Sequence, residues 1–245
     1  LAFALRHLEA DAGVMVTASH NPPQDNGYKV YLGGRAVTDS GQGAQIVPPY
    51  DTQIAAAIDA VGPVESVPRP QAGWETVDPA VQEEYIERTA QVARMKAPTS
   101  VRIVLTAMHG VGGATCREVL ARVGFTDVVE VAEQFEPDPD FPTVTFPNPE
   151  EPGALDLALA KAREVEADLV IANDPDADRC SAAIPDGDSP GGWRQLTGDE
   201  VGALLGEQAA ELAAFAGNGV LACSVVSSRL LRRIAQSHGL GFRRT

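Results

Sequence analysis

Short apolar runs alternate with longer amphipathic segments along the chain, and this alternation limits the possible folds more than any other feature. We predict strands at residues 13–18, 28–32, 101–106, 127–131, 168–172 and 220–224. We predict helices at residues 79–96, 114–123, 153–166, 199–213 and 227–238. One face of the segment 153–166 is apolar and consists of Leu155, Leu159, Ala162 and Val165. That spacing is typical of a helix packed on a sheet, so the sequence predicts α/β layers.

Proline and glycine cluster at residues 62–77 and again at 189–192, and such clusters favour connections between domains. We therefore predict boundaries that divide the chain into three parts, residues 1–73, 74–192 and 193–245. The length of 245 residues with 44% hydrophobic side chains is ample for a folded core.

Composition narrows the partners and the compartment. The net charge of −15 argues against a nucleic-acid partner. The sequence contains no continuous apolar run long enough for a membrane span, so no membrane partner is predicted. The cysteines, at positions 116, 180 and 223, show neither pairing nor metal-site spacing, which favours a reducing cytoplasmic location.

Residues 16–29 combine a serine with a run of turn-forming residues. Ser19 and His20 directly follow the apolar run 13–18, which we predict to be a buried strand, and Asn-Pro-Pro and Asp-Asn-Gly sequences follow. A hydroxyl on a stiff loop at a strand end is well placed to act as a nucleophile. Taken alone, however, a Ser-His pair is more typical of a plain surface turn with a capping serine.

Three carboxylates, Asp174, Asp176 and Asp178, follow a second apolar run that is predicted to be a buried strand. Oxygen ligands at alternate positions favour a hard cation such as Mg²⁺. An EF-hand loop would need glycine at the position of Arg179 and glutamate at the position of Pro185, so that interpretation fails. A solvated acidic turn remains the alternative. Arg179 favours a phosphate site, because a guanidinium binds phosphate oxygens in a bidentate manner.

Three further segments have local signatures. The glycine-rich segment 108–113 joins a predicted strand to a predicted helix; both a simple connection and a phosphate-facing role are open. The proline-rich segment 138–150 is predicted to be non-helical. Thr197 and Glu200 have capping-box spacing, which predicts a helix start.

The serine segment Thr-Ala-Ser-His-Asn-Pro with Asn-Gly-Tyr-Lys resembles the active-site loop of the phosphohexomutases, the phosphoglucomutase/phosphomannomutase family. The variant at residues 25–31 is most similar to the branch of phosphopentomutase-like phosphoglucomutases. The Asp-Pro-Asp-Ala-Asp-Arg segment resembles the metal loop of the same family, in the same order along the chain. The resemblance implies tandem mixed-sheet α/β/α sandwich domains. It also implies that residues 1–73 are the C-terminal part of a first domain, residues 74–192 a second domain and residues 193–245 the start of a third.

The resemblance also implies roles for individual residues. Ser19 would carry a phosphoryl group, and Lys29 would act as an acid/base. Mg²⁺ would be held by Asp174, Asp176, Asp178 and the phosphate on Ser19. Arg179 would lie near the transferring phosphoryl group. His20 would bind phosphate or assist proton transfer, with a structural role as the alternative.

The expected activity is that of an intramolecular phosphotransferase, an isomerase that moves phosphate between the 1- and 6-positions of glucose or mannose. The route would use a phosphoserine, a sugar phosphate substrate and a catalytic sugar 1,6-bisphosphate as activator. The alternatives are a phosphopentomutase, a metal-dependent phosphatase, and a non-catalytic fragment that binds Mg²⁺ or sugar phosphate. A family member would be about twice as long, so we expect this chain alone to have little activity; the sugar and the oligomeric state stay open.

Overall fold

In the computed structural model, residues 1–93 and 99–245 are described. They divide into two compact units, Leu1–Thr99 with Ala114–Thr126, and Ser100–Gly113 with Asp127–Thr245. The predicted domain boundary at residues 62–77 falls inside the first unit, and residues 193–245 belong to the second. The three-domain division therefore stays a prediction.

The first unit combines a two-stranded sheet with several α-helices. Its elements are α1 (Ala2–His7), β1 (Ala12–Val16), β2 (Tyr28–Leu32), α2 (Tyr50–Asp59), α3 (Pro79–Ala90) and α4, which spans Gly113–Val123 and begins at the last residue of a second-unit segment. Helix α3 begins at Asp78, whose side chain accepts a hydrogen bond from the backbone N–H of Ala80. The predicted helix 79–96 therefore ends early, at Ala90, and residues 94–96 of that prediction lie outside the described residues.

Strand β1 forms as predicted, but the prediction that it is buried is wrong. The side chains of Val14 and Val16 are 55% and 84% exposed. Strand β1 pairs antiparallel with β2 in a sheet of two strands. Because successive side chains of a strand point to opposite faces, a sheet covered on one side leaves every second residue in solvent.

The second unit is built on a mixed five-stranded sheet with the order β4-β3-β5-β6-β7. The strands are β3 (Ile103–Thr106), β4 (Val128–Glu130), β5 (Leu169–Asn173), β6 (Cys180–Pro185) and β7 (Trp193–Gln195). Strand β3 runs parallel to β4 and β5, whereas β6 runs antiparallel to both β5 and β7. The predicted α/β class with a mixed sheet is confirmed.

Helix α6 (Asp156–Glu164) packs against β3 and β5, as its apolar face predicts. Ala158 and Ala162 lie fully buried beside Val104 and Val170 in the core of this sheet. The remaining elements of the unit are α5 (Ala132–Phe135), α7 (Gly198–Phe215), β8 (Val220–Cys223), α8 (Leu230–Ser237) and β9 (Gly241–Arg244), with β8 and β9 paired in parallel. In the part of the chain that the structure describes, no helix combines the length and apolarity needed to cross a membrane.

Several elements were not predicted. They are α1, α2, α5, β6, β7 and β9. Strand β6 begins at Cys180, immediately after the charged segment, and its partner β7 is three residues long. A three-residue strand such as β7 is too short to show a recognisable period, and β6 is fixed by pairing with β5 on one side and β7 on the other. The segment 138–150 contains no helix, as predicted.

Candidate functional site

Ser19 occupies a strained turn directly after β1. Its φ angle is 57°, in the left-handed region that side chains rarely adopt. The turn is held by a hydrogen bond from Asn21 N to the carbonyl oxygen of Ala18 at 3.1 Å. The Ser19 N–H donates to the Thr17 hydroxyl at 2.8 Å. Strain of this kind persists only where the surroundings fix it, and it is common at functional sites.

Gly27 ties the serine turn to β2, a role that the sequence did not reveal. The N–H of Thr17 donates to the Gly27 carbonyl oxygen at 3.0 Å. A Cβ atom at position 27 would lie 2.7 Å from the carbonyl oxygen of Thr17. Only glycine therefore allows the start of β2 to approach the turn so closely.

His20 and Lys29 lie in the same unit as Ser19. The Nδ1 atom of His20 is 3.3 Å from the Ser19 hydroxyl oxygen, within hydrogen-bond reach. Lys29 is half-buried on β2, where it lies opposite Met15 of β1. His20 thus lies in the serine turn itself and Lys29 on the strand that pairs with β1, while their chemical roles stay predictions.

The acidic loop, defined here as Asp174–Arg179, connects β5 to β6. Carboxylate oxygens of Asp174, Asp176 and Asp178 all lie within 4.8 Å of one another. The backbone folds back on itself through a 2.9 Å hydrogen bond from Ala177 N to the Asp174 carbonyl oxygen. Ala177 has a φ of 55°, so this tight loop also contains a left-handed residue. The predicted metal ligands are therefore brought together.

Asp174 separates this loop from an ordinary acidic surface turn, because its side chain is 0% exposed. Burial raises the pKa of its carboxyl group, since removal from water penalises the charged form; the hydrogen bond from the Arg179 N–H opposes this shift. The nearby carboxylates of Asp176 and Asp178 raise the pKa further. A site that buries and crowds carboxylates in this way suits a divalent cation.

Arg179 contacts Asp174 through both its backbone and its guanidinium group. Its N–H donates to Asp174 Oδ1 at 3.0 Å, and its Nε and Nη2 donate to Asp174 Oδ2 at 3.2 and 3.0 Å. The Arg179 side chain is nevertheless 41% exposed. The sequence led us to expect a phosphate contact, and the structure shows that this guanidinium also stabilises a predicted metal ligand.

The donor set fits Mg²⁺. Three carboxylates supply only oxygen ligands, which is the preference of hard cations. Among the described residues, Asn173 Oδ1 is a buried side-chain oxygen without a hydrogen-bond partner, and it directly precedes Asp174. Mg²⁺ keeps several water molecules when bound, and such waters are donors of the kind that this oxygen lacks.

The glycine-rich segment 108–113 lies against the acidic loop and is more than a simple connection. A Cβ atom on Gly112 would lie 2.6 Å from the Cβ of Ala177. The N–H of Val111 donates to the Pro175 carbonyl oxygen at 2.9 Å. The sequence indicated close backbone approach here, but it could not identify the partner.

The structure assembles the predicted residues in two groups. Ser19, His20 and Lys29 belong to the first compact unit, and the acidic loop belongs to the second. Each group is local in sequence, which is why motif spacing found it. Asn173 and Gly27 were missed as functional positions, since their significance depends on contacts rather than on residue type.

Comparisons with known proteins agree on one family. The family model described as phosphoglucomutase/phosphomannomutase, alpha/beta/alpha domain I, matches residues 1–63, and the model for alpha/beta/alpha domain II matches residues 83–187. Together the two models cover more than half of the chain.

Curated relatives and solved structures are similar along nearly the whole chain. A probable phosphomannomutase of Haemophilus influenzae is 47% identical over 241 residues, which is 97% of this chain and 47% of the relative. The phosphopentomutase of Homo sapiens is 37% identical over 99% of this chain and 41% of its own length. The crystal structure of a putative phosphomannomutase from Thermus thermophilus has a TM-score of 0.75 and 29% identity, covering 100% of this chain and 51% of that one.

The chain thus spans about half the length of the curated relatives that it matches. The matched family domains account for the mixed sheet and for both motif loops, since residues 1–63 include Ser19 and residues 83–187 include the acidic loop. On these grounds, the chain belongs to the phosphoglucomutase/phosphomannomutase family.

Proposed function

We propose that this chain carries the phosphoserine and magnesium-binding segments of a phosphohexomutase, an intramolecular phosphotransferase. The observation that carries the proposal is the convergence of three carboxylates within 4.8 Å around a fully buried Asp174. Carboxylates that lie this close together around a buried member destabilise the folded protein, and a bound cation offsets that effect. The strained turn that presents Ser19 supports the same function, because it fixes the direction of the hydroxyl.

Asp174, Asp176 and Asp178 would hold Mg²⁺. When bound, the ion supplies positive charge that stabilises a phosphoryl group during transfer. The chain's own contribution is to keep three mutually repelling carboxylates in one place. Arg179 assists directly, since its three hydrogen bonds to Asp174 offset part of the cost of burying that carboxylate.

The serine turn supplies the covalent step. In the proposed reaction, a hydroxyl oxygen of a sugar monophosphate forms a bond to the phosphorus of phosphorylated Ser19, while the bond from phosphorus to Ser19 Oγ breaks. Lys29, as the acid/base, accepts the proton that leaves the sugar hydroxyl, and the departing Ser19 Oγ takes up a proton to become a hydroxyl again. The resulting sugar bisphosphate reorients, and its other phosphoryl group returns to Ser19. A catalytic amount of sugar 1,6-bisphosphate would phosphorylate enzyme that has lost its phosphate.

The substrate class follows from the relatives and is part of the proposal. We expect phosphate transfer between the 1- and 6-positions of glucose or mannose. A pentose phosphate is the second candidate, favoured by the human relative that is named a phosphopentomutase and is 37% identical. We also propose that the 245 residues alone have little mutase activity, because they span about half of the relatives' length.

The decisive experiment replaces Ser19 in the full reading frame that contains this chain. Conversion of glucose 1-phosphate to glucose 6-phosphate is measured with Mg²⁺ and a trace of glucose 1,6-bisphosphate. We expect Ser19→Ala to lower turnover by about 10⁴-fold or more, as removal of a nucleophile does. Ser40→Ala is the matched control, because Ser40 is an exposed serine of the same unit.

The other outcomes separate the alternatives. Retained turnover in Ser19→Ala would contradict the phosphoserine route. Release of inorganic phosphate at the rate of substrate loss would indicate a phosphatase. Wild-type protein that binds Mg²⁺ but never acquires phosphate on Ser19 would indicate a non-catalytic fragment. Parallel assays with mannose 1-phosphate and ribose 1-phosphate identify the preferred sugar.

A further inference from the structure

The acidic loop needs support from outside itself. Its three carboxylates repel one another when no cation is bound, which favours an open arrangement. Pro175, within the loop, has no N–H to donate. Its carbonyl oxygen instead accepts the hydrogen bond from Val111, which comes from a different part of the chain.

Residues Met108–Gly112, which we call the support loop, provide this support. Gly110 lies against the backbone of Pro175 so closely that a Cβ atom there would come within 2.7 Å of the Pro175 carbonyl carbon and closer still to its Cα and oxygen. Gly112 packs closely against the Cβ atom of Ala177. Since backbone atoms cannot move aside as flexible side chains can, the support loop limits where the acidic loop can lie.

The support loop is itself held in a strained conformation. Met108 and His109 both have positive φ angles, 48° and 61°, a conformation that residues with a side chain keep only where their surroundings hold them in it. The His109 N–H donates to the Gln134 carbonyl oxygen at 2.8 Å, and the His109 carbonyl oxygen accepts from Asp138 N at 3.0 Å. Those bonds fix the backbone of the turn.

Hydrogen bonds that involve side chains also hold the turn at Met108 and His109. The Met108 N–H donates to the Thr106 hydroxyl oxygen at 3.1 Å, and that hydroxyl donates to Gln134 Oε1 at 2.7 Å. The Gln134 amide nitrogen donates to the Thr143 hydroxyl oxygen at 2.9 Å. This hydroxyl oxygen also lies 2.8 Å from His109 Nε2 and shares a hydrogen bond with it.

Most of this polar network, defined as Thr106, His109, Gln134 and Thr143, is buried. Thr106 and Gln134 are 0% exposed and His109 is 4% exposed, whereas Thr143 lies at the exposed edge of the network. A buried polar group that loses its hydrogen-bond partner destabilises the folded protein. The network therefore favours one conformation of the support loop over its alternatives.

We propose that the support loop and the polar network position the acidic loop for cation binding, so that Gly110, His109 and Thr143 are positioning residues of the metal site. This inference rests on the proposed function of the acidic loop. It predicts that Mg²⁺ affinity depends on residues that lie far from the carboxylates in sequence and donate nothing to the ion.

The first test is Gly110→Ala in the 245-residue chain, with Mg²⁺ binding measured by isothermal titration calorimetry. We expect the dissociation constant to rise about 10–100-fold, as it does when outer groups of a metal site are disturbed. Gly187→Ala is the matched control in the same unit, because a Cβ atom there meets nothing within 4 Å. We expect the control to bind as the wild type does.

The second test removes one hydroxyl from the network without changing the backbone. Thr143→Val should weaken Mg²⁺ binding severalfold, whereas Thr143→Ser, which keeps the hydroxyl, should restore it. Thr145→Val is the control, because Thr145 is also exposed in the same segment. Rescue by serine would separate positioning by the hydroxyl from a general loss of stability, which thermal unfolding without metal measures in parallel.

The outcomes distinguish a failure of the proposed function from a failure of this inference alone. Wild-type chain that does not bind Mg²⁺ would overturn the proposed function, and with it this inference. Wild-type binding that is unchanged in both Gly110→Ala and Thr143→Val would overturn the inference alone. Equal weakening in the two control variants would do the same, because the effect would then not depend on the support loop.

Discussion

The carboxylate of Asp174 lies where a negative charge destabilises the folded protein. The side chain is fully buried, and the raised pKa reflects the loss of hydration more than the compensation from Arg179. A ligand that binds only the folded state, such as a cation, can offset this destabilisation. Function and stability therefore conflict at this residue.

Asp174→Asn tests that conflict. Without metal we expect the melting temperature to stay the same or rise, because a neutral amide is easier to bury. The rise in melting temperature on adding Mg²⁺ should disappear; for the wild type, a concentration of 100 Kd stabilises by about 2.7 kcal/mol. Asp188→Asn, at an exposed carboxylate of the same unit, should keep the Mg²⁺ response. A large loss of metal-free stability in Asp174→Asn would contradict this account.

The buried side chain of His109 should make the free energy of unfolding depend on pH. Burial lowers its pKa below the ordinary value of 6.5, and Asp138 opposes the shift by attracting the proton. The unfolded chain then binds the proton more readily, so the free energy of unfolding falls as pH drops below about 6.5 and is regained above it. Below the folded-state pKa this loss is complete.

His109→Gln should flatten that part of the pH profile, measured by urea unfolding between pH 5 and 8. The variant is compared by slope rather than by absolute stability, since the mutation also disturbs the network. His238→Gln, at a histidine beside Glu207 on a different helix, should leave the His109 contribution in place. An unchanged slope in His109→Gln would show that other groups cause the dependence.

At the scale of elements, the loops depend on where helices and strands begin and end. Helix α7 begins with the predicted capping box: Glu200 N donates to the Thr197 hydroxyl oxygen at 3.2 Å, and Thr197 N donates to Glu200 Oε2 at 2.8 Å. The hydrogen bond from the Thr197 N–H, followed by the hydrogen bond from Arg194, lowers the pKa of the Glu200 carboxyl group. The helix start is therefore fixed by short-range contacts.

Thr197→Ala should lower the free energy of unfolding by about 1 kcal/mol, because backbone N–H groups of the first turn lose their acceptor. Urea unfolding measures the loss, and hydrogen exchange at the first turn of α7 should accelerate. Thr76→Ala, at an exposed position outside helices and strands, should change stability by less than about 0.5 kcal/mol. Equal effects of the two variants would argue against a capping role.

At the scale of the whole molecule, residues 62–77 are exposed throughout. The predicted boundary between the first and second domains falls there, and the family models also leave residues 64–82 unmatched. Exposed connections of this kind are preferred sites of proteolysis. Trypsin is a poor probe because Arg69 precedes a proline, whereas Glu65 and Glu75 suit a glutamate-specific protease.

Limited digestion with that protease should therefore cut first after Glu65 or Glu75, giving two fragments that mass spectrometry identifies. Glu150, at the end of the proline-rich segment, is the internal comparison, since Glu151 precedes a proline. First cleavage at Glu150 would contradict the proposed boundary. The experiment also decides between the sequence-based domains and the two compact units, since the latter join residues 1–99 with 114–126.

The sequence by itself determined the family, the α/β class and the positions of the two motif loops. Ser19, Lys29 and the three carboxylates belong to motifs whose members are near neighbours in the chain, so their resemblance to the family motifs can be recognised without a structure. The strand 28–32 was predicted with its observed bounds for a related reason, because local turn residues mark its start. Information that is local in sequence needs no knowledge of tertiary contacts.

Only the tertiary structure decided which side chains are buried and which backbones touch. It showed that β1 is half exposed, that Asp174 is fully buried, and that Gly110 lies against Pro175. It also brought Thr143 to His109 across 34 positions of sequence. Burial and long-range hydrogen bonds arise from the packing of distant segments, which no pattern of neighbouring residues encodes.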